Sequence, residues 1–264
     1  MFPKIVDLGP VTIHTYGLLL ALAFIAGIWL ASRNARKQDI NPDSIWNMGL
    51  IIIFAALVGA KVLLFLSDFQ YYSENPREIF SLSTLRSTGV YYGGLILALV
   101  AAAGYLRSAR LPGWKVADLC APGIALGQAI GRVGCLSAGC CYGRPSRLPW
   151  AITFRDTYAY DNVGVPLNTP LHPTQLYESF STLLLFLYLM WRLSRKHFTG
   201  QIILEYVILY ASLRFVIEFF RDDDRGYVLR GLLSTSQFIG ILTILGAVGL
   251  FYYLRRRPAE TPES

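Results

Sequence analysis

The chain has 264 residues, of which 54% are hydrophobic and only 16% are charged. Soluble globular proteins contain about 25% charged and about 45–50% apolar residues, so the composition argues against a soluble domain, a disordered chain and a disulfide-stapled framework. The net charge of +7 is typical of cationic loops that orient membrane helices and meet anionic headgroups. We therefore expect a multi-pass membrane protein and no nucleic-acid partner.

Seven apolar segments come close to the length of about 20 residues that a transmembrane helix needs. The fourth is the weakest, because it is short and carries Asp118 and Gln128. We predict an all-α integral membrane protein in which residues 1–257 form one multi-pass domain and residues 258–264 form a disordered tail. The predicted transmembrane helices are residues 16–31, 45–66, 89–106, 116–131, 174–191, 202–220 and 232–254.

Lysine and arginine are unevenly distributed among the loops. Half of the 24 basic residues lie in four short, alternating segments, which are residues 33–37, 107–115, 192–196 and 255–257. Because short basic loops stay in the cytoplasm, we predict an N-terminus outside, on the periplasmic side, and a cytoplasmic C-terminus. The longer loops would then face the periplasm or exterior, and they are residues 68–87, 136–172 and 221–230.

A glycine-rich segment with an arginine follows the fourth predicted helix. An ionised side chain near the centre of a membrane helix costs about 2.5–3.5 kcal/mol on insertion scales, so Arg132 is a candidate functional residue. Residues 131–144 also contain Gly134 and Gly143, a pattern that favours a broken helix buried in protein. Such backbone can approach an anion, and Arg132 can grip a phosphate with two hydrogen bonds. The alternative is an arginine that snorkels from a helix end beside small packing residues.

Four polar residues recur at helical spacing in the sixth predicted span. Tyr210, Arg214, Glu218 and Arg221 are expected on one face of the helix. A charged stripe facing lipid would be expensive, so this face should look inward. The alternative is a self-contained ion pair between Arg214 and Glu218.

A third polar set opens the fifth predicted span. His172 precedes this helix, and Gln175 and Glu178 are expected on one of its faces. These residues either bind a ligand or form a capped helix start with a polar partner for a neighbouring helix.

Several weaker candidates lie at the ends of the first three predicted spans. They are His14, Tyr16, Lys61, Tyr92, Gly93 and Gly94. Interfacial tyrosines and snorkelling lysines are common in membrane proteins, so each of these is weak by itself. With the predicted orientation, however, nearly all the polar sets converge on the outer half of the bilayer, where two arginines would suit an anionic lipid headgroup.

The four cysteines have no standard spacing. Cys120 is expected to be a small core residue. Cys135, Cys140 and Cys141 cluster in the glycine-rich segment, where an exterior location permits a disulfide, although three thiols cannot all pair with one another. Their spacing is not one usual for zinc, so we predict local packing or one disulfide and no metal. A metal site completed by His172 and a nucleophilic cysteine are the alternatives.

Taken together, the motifs resemble the bacterial prolipoprotein diacylglyceryl transferase family. The similarity lies in residues 131–144, in residues 172–178 and in the polar face from Tyr210 to Arg221, with Tyr16 and the Tyr92-Gly93-Gly94 turn fitting the same pattern. The resemblance implies transfer of the diacylglyceryl group of phosphatidylglycerol to the lipobox cysteine of a prolipoprotein signal peptide. A thioether forms and glycerol phosphate leaves, with no cofactor. It also implies a site on the periplasmic side of the bacterial cytoplasmic membrane.

The resemblance assigns roles to individual residues. Arg132 and Arg214 would bind phosphatidylglycerol and stabilise the negative charge that grows on the departing phosphate. The predicted catalytic residues are Arg132, Arg214, Tyr16, Glu218 and Tyr92. The predicted substrate-binding residues are Arg132, Gly134, Gly143, Tyr210, His172, Gln175, Glu178, Gly93, Gly94, His14 and Lys61.

The chain departs from the family pattern at three positions. Cys135 stands where the family often has asparagine, Cys140 where it often has glutamate, and Tyr92 where it often has histidine. The base that deprotonates the acceptor thiol therefore stays open among Glu218, Tyr92 and His14.

Other functional classes fit the sequence less well. A retinal protein would need a lysine in the seventh span, which has none. A lipid or anion transporter would be favoured by an inverted repeat, which the two halves do not show. Another intramembrane lipid transferase is an alternative that only the reaction product would separate.

Overall fold

The computed structural model describes residues 4–7, 12–81, 84, 89–222, 226–228 and 233–256. Most of these residues are helical. In chain order the helices are α1 (Thr15–Arg36), α2 (Pro42–Ser67), α3 (Phe69–Glu74), α4 (Tyr91–Ser108), α5 (Gly113–Ala138), α6 (Thr157–Val163), α7 (Thr174–Leu193), α8 (Gln201–Glu218) and α9 (Thr235–Arg256), with a 3₁₀ helix at Pro76–Phe80.

Three short pairs of antiparallel strands accompany the helices. They pair β1 (Lys4–Asp7) with β2 (Thr12–His14), β3 (Ile152–Thr153) with β4 (Pro170–Leu171), and β5 (Tyr227–Val228) with β6 (Leu233–Ser234). The second strand of each pair ends at or just before the start of a long helix, namely α1, α7 or α9. The strand pairs therefore anchor the chain where these helices begin.

Apolar side chains on the helices face outwards, which is the pattern of a membrane protein. Phe54 and Leu57 on α2 are 71% and 65% exposed, whereas the polar Asp118 and Glu178 are buried. A soluble protein rarely exposes so much apolar surface. Four of the described helices are long and apolar enough to cross a membrane, and they are α1, α2, α5 and α9. The prediction of an apolar, multi-pass, helical membrane protein agrees with this architecture.

The fourth predicted span was wrong at its C-terminal end. The sequence predicted a helix over residues 116–131 and a broken segment over 131–144, but α5 continues through Arg132 to Ala138. The turn comes at Gly139, whose φ of +80° suits glycine and is strained for other residues. Arg132 is therefore held on a regular helix.

Three glycines of α5, Gly123, Gly127 and Gly134, pack closely against α1 within a continuous helix. A Cβ on Gly123 would collide with the backbone of Gly27, and a Cβ on Gly134 would lie 3.3 Å from the ring of Tyr16. Small residues at such positions let membrane helices approach closely.

The sixth predicted span, residues 202–220, extends past the end of α8 at Glu218. The prediction that Arg221 shares the polar helical face is therefore wrong. Arg221 lies beyond the helix, where its backbone forms an isolated bridge with Gly143. Tyr210, Arg214 and Glu218 do lie on α8, four residues apart.

The other predicted spans each overlap a long helix, with different ends. α1 continues five residues beyond the predicted end, to Arg36. α4 begins at Tyr91 rather than at residue 89, because Gly89 has a φ of +73°. The first residue of the seventh predicted span, 232, and the predicted tail, 258–264, lie outside the described residues.

The chain divides into two compact units, Met1–Asn34 with Ala117–Ser264, and Ala35–Val116. In the second unit α2 and α4 pack so closely that a Cβ on Gly59 or on Gly93 would collide with the other residue's carbonyl oxygen.

In the first unit α5, α7 and α8 share a buried apolar cluster, made of Ala121, Ala125, Leu185, Leu189, Ile202 and Tyr206. A polar clamp holds one end of this three-helix group. Asp118, fully buried on α5, accepts hydrogen bonds from the backbone N–H groups of Gly200, Ile202 and Ile203 at 2.9–3.1 Å. It also forms an ion pair of 3.0 Å with Lys196. Because the first N–H groups of a helix have no partner within it, Asp118 fixes the start of α8 against α5.

Candidate active site

The first arginine of the site joins three helices. Arg132 Nη2 of α5 lies 2.9 Å from Glu178 Oε1 of α7. The hydroxyl of Tyr210 on α8 donates a hydrogen bond of 2.9 Å to the same oxygen. Glu178 lies one turn into α7 and is only 2% exposed, so it offsets the cost of the buried arginine. Arg132 is thereby held in one orientation while its side chain stays 22% exposed.

The second arginine, Arg214, lies on α8, one turn beyond Tyr210. Arg214 Nη2 lies 2.9 Å from Glu218 Oε2 within the same helix. Ser234, which ends β6, donates a hydrogen bond of 3.1 Å to Glu218 Oε1. Tyr210 interacts electrostatically with both Arg132 and Arg214, so the two ion pairs belong to one polar site. All of these residues except Ser234 were predicted from the sequence.

Several polar atoms of this site are buried without a hydrogen-bond partner among the described residues. They include Arg214 Nη1, Glu178 Oε2 and Gln175 Oε1. Buried polar groups normally have partners, and each one without a partner points to a bound water, ion or ligand. The Nη1 of Arg214 can donate a hydrogen bond to an oxygen of an anionic ligand.

The loop after α5 is tied to the beginning of α7. Gln175 Nε2 donates to the carbonyl of Cys140 at 2.8 Å, and Thr174 Oγ1 donates to that of Cys141 at 2.7 Å. The predicted substrate-binding residue Gln175 thus holds this loop with its amide nitrogen.

Gly143 is required for packing in this loop. A Cβ there would lie 2.5 Å from the carbonyl oxygen of Phe220 and 2.6 Å from the Cβ of His172. Its N–H donates to the carbonyl of His172 at 3.1 Å. That N–H is engaged within the protein, so any contact of Gly143 with substrate would use other atoms.

His172 borders an apolar cavity in the same unit. Its Nδ1 lies 3.1 Å from the hydroxyl of Tyr177, and its ring centroid lies 5.3 Å from that of Phe220. The cavity has a volume of about 640 Å³ and is lined by His172, Tyr177, Phe220 and side chains of α8 that include Leu209, Leu213 and Val216. Such a space suits an apolar chain.

The three cysteines that cluster in the sequence also meet in space beside this site. The Sγ atoms of Cys135, Cys140 and Cys141 all lie within 4.8 Å of one another, and the three residues are free thiols. Hydrogen bonds with Cys135 and Cys140, together with the charge of Arg221, lower the pKa of the Cys141 thiol. Hydrogen bonds with Cys135 and Cys141 raise the pKa of the Cys140 thiol. Gly139 was the available sequence signal for this arrangement, because a glycine permits the turn that brings the cysteines on its two sides together.

Two predicted residues at the beginning of the chain have different surroundings. Tyr16, in the first turn of α1, is 37% exposed and interacts electrostatically with Arg132 and with the three cysteines. His14 Nε2 lies 2.7 Å from the hydroxyl of Tyr158 on α6, and the two rings are stacked. Tyr16 therefore belongs to the arginine site, whereas His14 is engaged by α6.

The remaining predicted residues belong to the second compact unit. Tyr92 is 51% exposed in the first turn of α4. Gly93 and Gly94 pack against the backbone of α2. Lys61 donates a hydrogen bond of 2.5 Å to the carbonyl of Thr84. Their contribution to the site stays a prediction.

Apolar helices around a polar site with two arginines define a helical membrane protein. Its sequence matches the family model of prolipoprotein diacylglyceryl transferase over residues 3–253. The chain belongs to this family, as its motifs predicted.

Named relatives match almost the full length of the chain. The phosphatidylglycerol–prolipoprotein diacylglyceryl transferase of Clostridium tetani is 36% identical over 253 residues, covering 96% of this chain and 97% of that protein. The protein of the same name from Finegoldia magna is 37% identical over 255 residues, with 96% of each chain covered. That from Nostoc is 32% identical over 267 residues, covering 97% of this chain and 91% of the relative.

Proposed function

We propose that this chain transfers the diacylglyceryl group of phosphatidylglycerol to a cysteine thiol of a prolipoprotein, the reaction for which its relatives are named. The observation that carries this proposal is the site with two arginines, in which Arg132 and Arg214 are each held by a carboxylate. The acceptor is the lipobox cysteine of the signal peptide. The product is a thioether, and glycerol phosphate leaves.

Arg132 and Arg214 bind the phosphate of the lipid. Glu178 and Glu218 orient the two guanidinium groups, and the unfilled Nη1 donor of Arg214 takes a phosphate oxygen. Negative charge grows on the phosphate when the bond between the glycerol carbon and the ester oxygen breaks. Preorganised donors in a site shielded from water stabilise that charge most strongly. Tyr16, which interacts electrostatically with Arg132, orients the phosphate.

The apolar cavity beside His172 holds an acyl chain of the lipid. Its volume of about 640 Å³ and its apolar lining from α8 support this use. Binding the remote acyl chain positions the glycerol carbon for attack, and such positioning can supply much of the acceleration.

The thiol must lose its proton, since the thiolate is the nucleophile. Glu218 is the carboxylate that the sequence favoured as the base. Glu218 also contacts Arg214 and Ser234, and it therefore orients the guanidinium of Arg214. A proton on Glu218 would weaken that ion pair. Tyr92 and His14 are the other proposed bases. Tyr92, Gly93, Gly94 and Lys61 are retained as substrate residues on the sequence pattern alone.

The proposed membrane arrangement has seven transmembrane helices, α1, α2, α4, α5, α7, α8 and α9, forming one multi-pass domain. Its N-terminus lies outside and its C-terminus in the cytoplasm, as the distribution of lysine and arginine indicates. The site then opens to the periplasmic side of the bacterial cytoplasmic membrane, where lipobox cysteines of exported proteins arrive.

The assay supplies the purified protein with phosphatidylglycerol labelled in its acyl chains and a lipobox peptide. We expect a labelled thioether peptide and an equal amount of glycerol phosphate. A matched peptide with serine in place of the cysteine is the control and should stay unlabelled. Absence of the thioether from folded protein would contradict the proposed function, and a different lipid product would identify another lipid transferase.

A further inference from the structure

The thiols of Cys135, Cys140 and Cys141 form a donor set that the proposed catalytic residues do not use. All three Sγ atoms lie within 4.8 Å of one another. With zinc–sulfur bonds of about 2.3 Å, two thiolates on a tetrahedral ion lie about 3.8 Å apart. The three sulfurs are therefore near the spacing that a single thiophilic ion requires, although their spacing in the sequence is unusual for zinc.

The backbone is arranged to hold the three sulfurs together. Cys141 has a φ of +62°, a left-handed conformation that is uncommon for a residue with a side chain. Such local strain persists only where the surroundings impose it, and it is concentrated at functional sites. Here the carbonyls of Cys140 and Cys141 are held by Gln175 and Thr174 of α7. The cluster is thus built by two helices and the turn between them.

Two arginine side chains lie near the cluster. Arg221 donates a side-chain hydrogen bond to Cys141 and attracts its charge. Arg132 interacts electrostatically with Cys135 and Cys141. Three thiolates and one divalent cation carry a net charge of −1, which Arg221 alone offsets, since Arg132 is already paired with Glu178. The cluster therefore offers both the ligands and the charge balance for a divalent thiophilic ion.

Among the described residues, no fourth histidine, cysteine, aspartate or glutamate joins this group. Catalytic zinc sites commonly combine three protein ligands with an open position. An ion of this kind deprotonates a thiol that coordinates it. The proposed reaction needs such a thiolate beside the phosphate held by Arg132.

We propose that Cys135, Cys140 and Cys141 bind a thiophilic divalent cation such as Zn²⁺, whose open fourth position takes the acceptor cysteine as a thiolate. This inference rests on the proposed function and deepens it. On coordination the acceptor thiol releases its proton to water. The thiolate then forms the carbon–sulfur bond as the carbon–oxygen bond to phosphate breaks, and the electron pair leaves on the phosphate. The neutral thioether is a weaker ligand and departs, so no oxidation or reduction occurs.

Spectroscopy with Co²⁺ tests the metal site independently of catalysis. The full-length reduced protein, in detergent with phosphatidylglycerol, is titrated with one equivalent of Co²⁺, and the thiolate-to-cobalt charge-transfer absorption is recorded. We expect the absorption of three thiolates. It should rise by about one third, from three thiolates to four, when a lipobox peptide is added, and stay unchanged with the serine peptide. Bound Co²⁺ without thiolate absorption, or equal effects of the two peptides, would overturn the proposal.

Cysteine variants assign the ligands. Cys140→Ala should lose the three-thiolate absorption, while Cys120→Ala, the matched change outside the cluster, should retain it. Thermal unfolding of each variant checks that it folds, and the comparison of the two peptides on the unaltered protein needs no variant. Undiminished absorption in Cys140→Ala contradicts the assignment of the ligands. A disulfide within the cluster that persists in the protein isolated from membranes also contradicts it.

Activity separates this inference from the proposed function. Protein freed of metal by a chelator should lose at least tenfold in rate and regain it with Zn²⁺. Full activity at a measured metal content near zero would overturn the role of the ion while supporting the transferase. If no preparation makes the thioether, yet the cysteine peptide joins the Co²⁺ ion, the proposed function fails and the metal site stands.

Discussion

At the scale of residues, Glu178 connects the proposed chemistry to the fold. Its Oε1 accepts contacts from Arg132 and Tyr210, which lie on two other helices. A buried arginine without a partner would be very costly, so the carboxylate both permits and orients it. When a phosphate enters, Arg132 can hold Glu178 and the ligand together because a guanidinium has five donors.

Removing the guanidinium of Arg132 should abolish most of the activity. Arg132→Ala should lower kcat/KM by about 10²–10³-fold, the range found when one preorganised donor is removed from a charge-stabilising site. Arg132→Lys should recover only part of the loss, because an ammonium lacks the planar fork. The labelled-lipid assay measures both variants, and Arg107→Ala, an exposed arginine on α4, is the control. Full activity in Arg132→Ala would exclude the phosphate role.

The hydroxyl of Tyr210 should contribute through Glu178. Tyr210→Phe removes one hydrogen bond to a buried carboxylate, an interaction of about 1.5–3 kcal/mol. We expect kcat/KM to fall by about tenfold or more, with an unchanged fold by circular dichroism. Tyr252→Phe, on the exposed surface of α9, should leave the rate unaltered. If both variants behave alike, Tyr210 does not position the arginine site.

At the scale of elements, two kinds of contact decide where helices sit. Polar side chains such as Asp118 satisfy the open N–H groups of another helix. Glycines such as Gly93 let two helix backbones touch. In a lipid environment the hydrophobic effect does not drive helices together, so packing and hydrogen bonds have to do so.

Loss of the Asp118 clamp should destabilise the group formed by α5, α7 and α8. Asp118→Ala leaves Lys196 and three N–H groups without their shared partner. We expect a loss of about 3 kcal/mol in stability, observed as a lower midpoint of thermal unfolding in detergent. Asp43→Ala, an exposed carboxylate on α2, is the matched control. A shift no larger than in that control would show that the clamp is unimportant.

Gly93 and Gly104 lie on the same helix and should respond oppositely to alanine. In Gly93→Ala the new Cβ meets the carbonyl of Gly59, whereas at Gly104 nothing lies within 4 Å. Gly93→Ala should destabilise the protein by about 1–3 kcal/mol through overpacking. Gly104→Ala should be neutral or slightly stabilising, since alanine is the better helix former. Thermal unfolding compares the two, and equal stabilities would disprove close packing of α2 on α4.

At the scale of the whole molecule, the basic residues serve two purposes. Half of them lie in four short segments that alternate along the chain, a pattern that predicts the orientation of membrane helices. Arg132 and Arg214 instead lie inside the protein, each paired with a glutamate. The net charge of +7 is therefore a sum over residues with different physical roles.

The proposed topology predicts which reporters will be active. A fluorescent protein fused after residue 256 should fold in the cytoplasm and fluoresce, and alkaline phosphatase at the same place should stay inactive. In the loop at residue 146 the two reporters should behave in the opposite way, which provides the internal control. Phosphatase activity at the C-terminal fusion would reverse the orientation and place the site on the other side.

Much of this protein could be predicted without a structure, because the relevant signals are local. Long apolar segments indicate helices, and an ionised residue such as Arg214 within them indicates function, since its cost in lipid must be offset. The motifs also identified the family correctly. The end of α5 was missed, because glycine composition cannot distinguish a helix break from a packing surface. At Gly134 the glycine makes room for Tyr16 within a continuous helix.

The sequence by itself thus determined the class of protein, the family and the charged residues that lie within apolar helices, because hydropathy and the cost of a buried charge follow from residue type. Only the tertiary structure decided the partners. Arg132 pairs with Glu178 across two helices, although the sequence separates them widely. The three thiols meet because the backbone turns at Gly139 and is held by α7. Such contacts depend on how distant segments pack, and no local pattern records that.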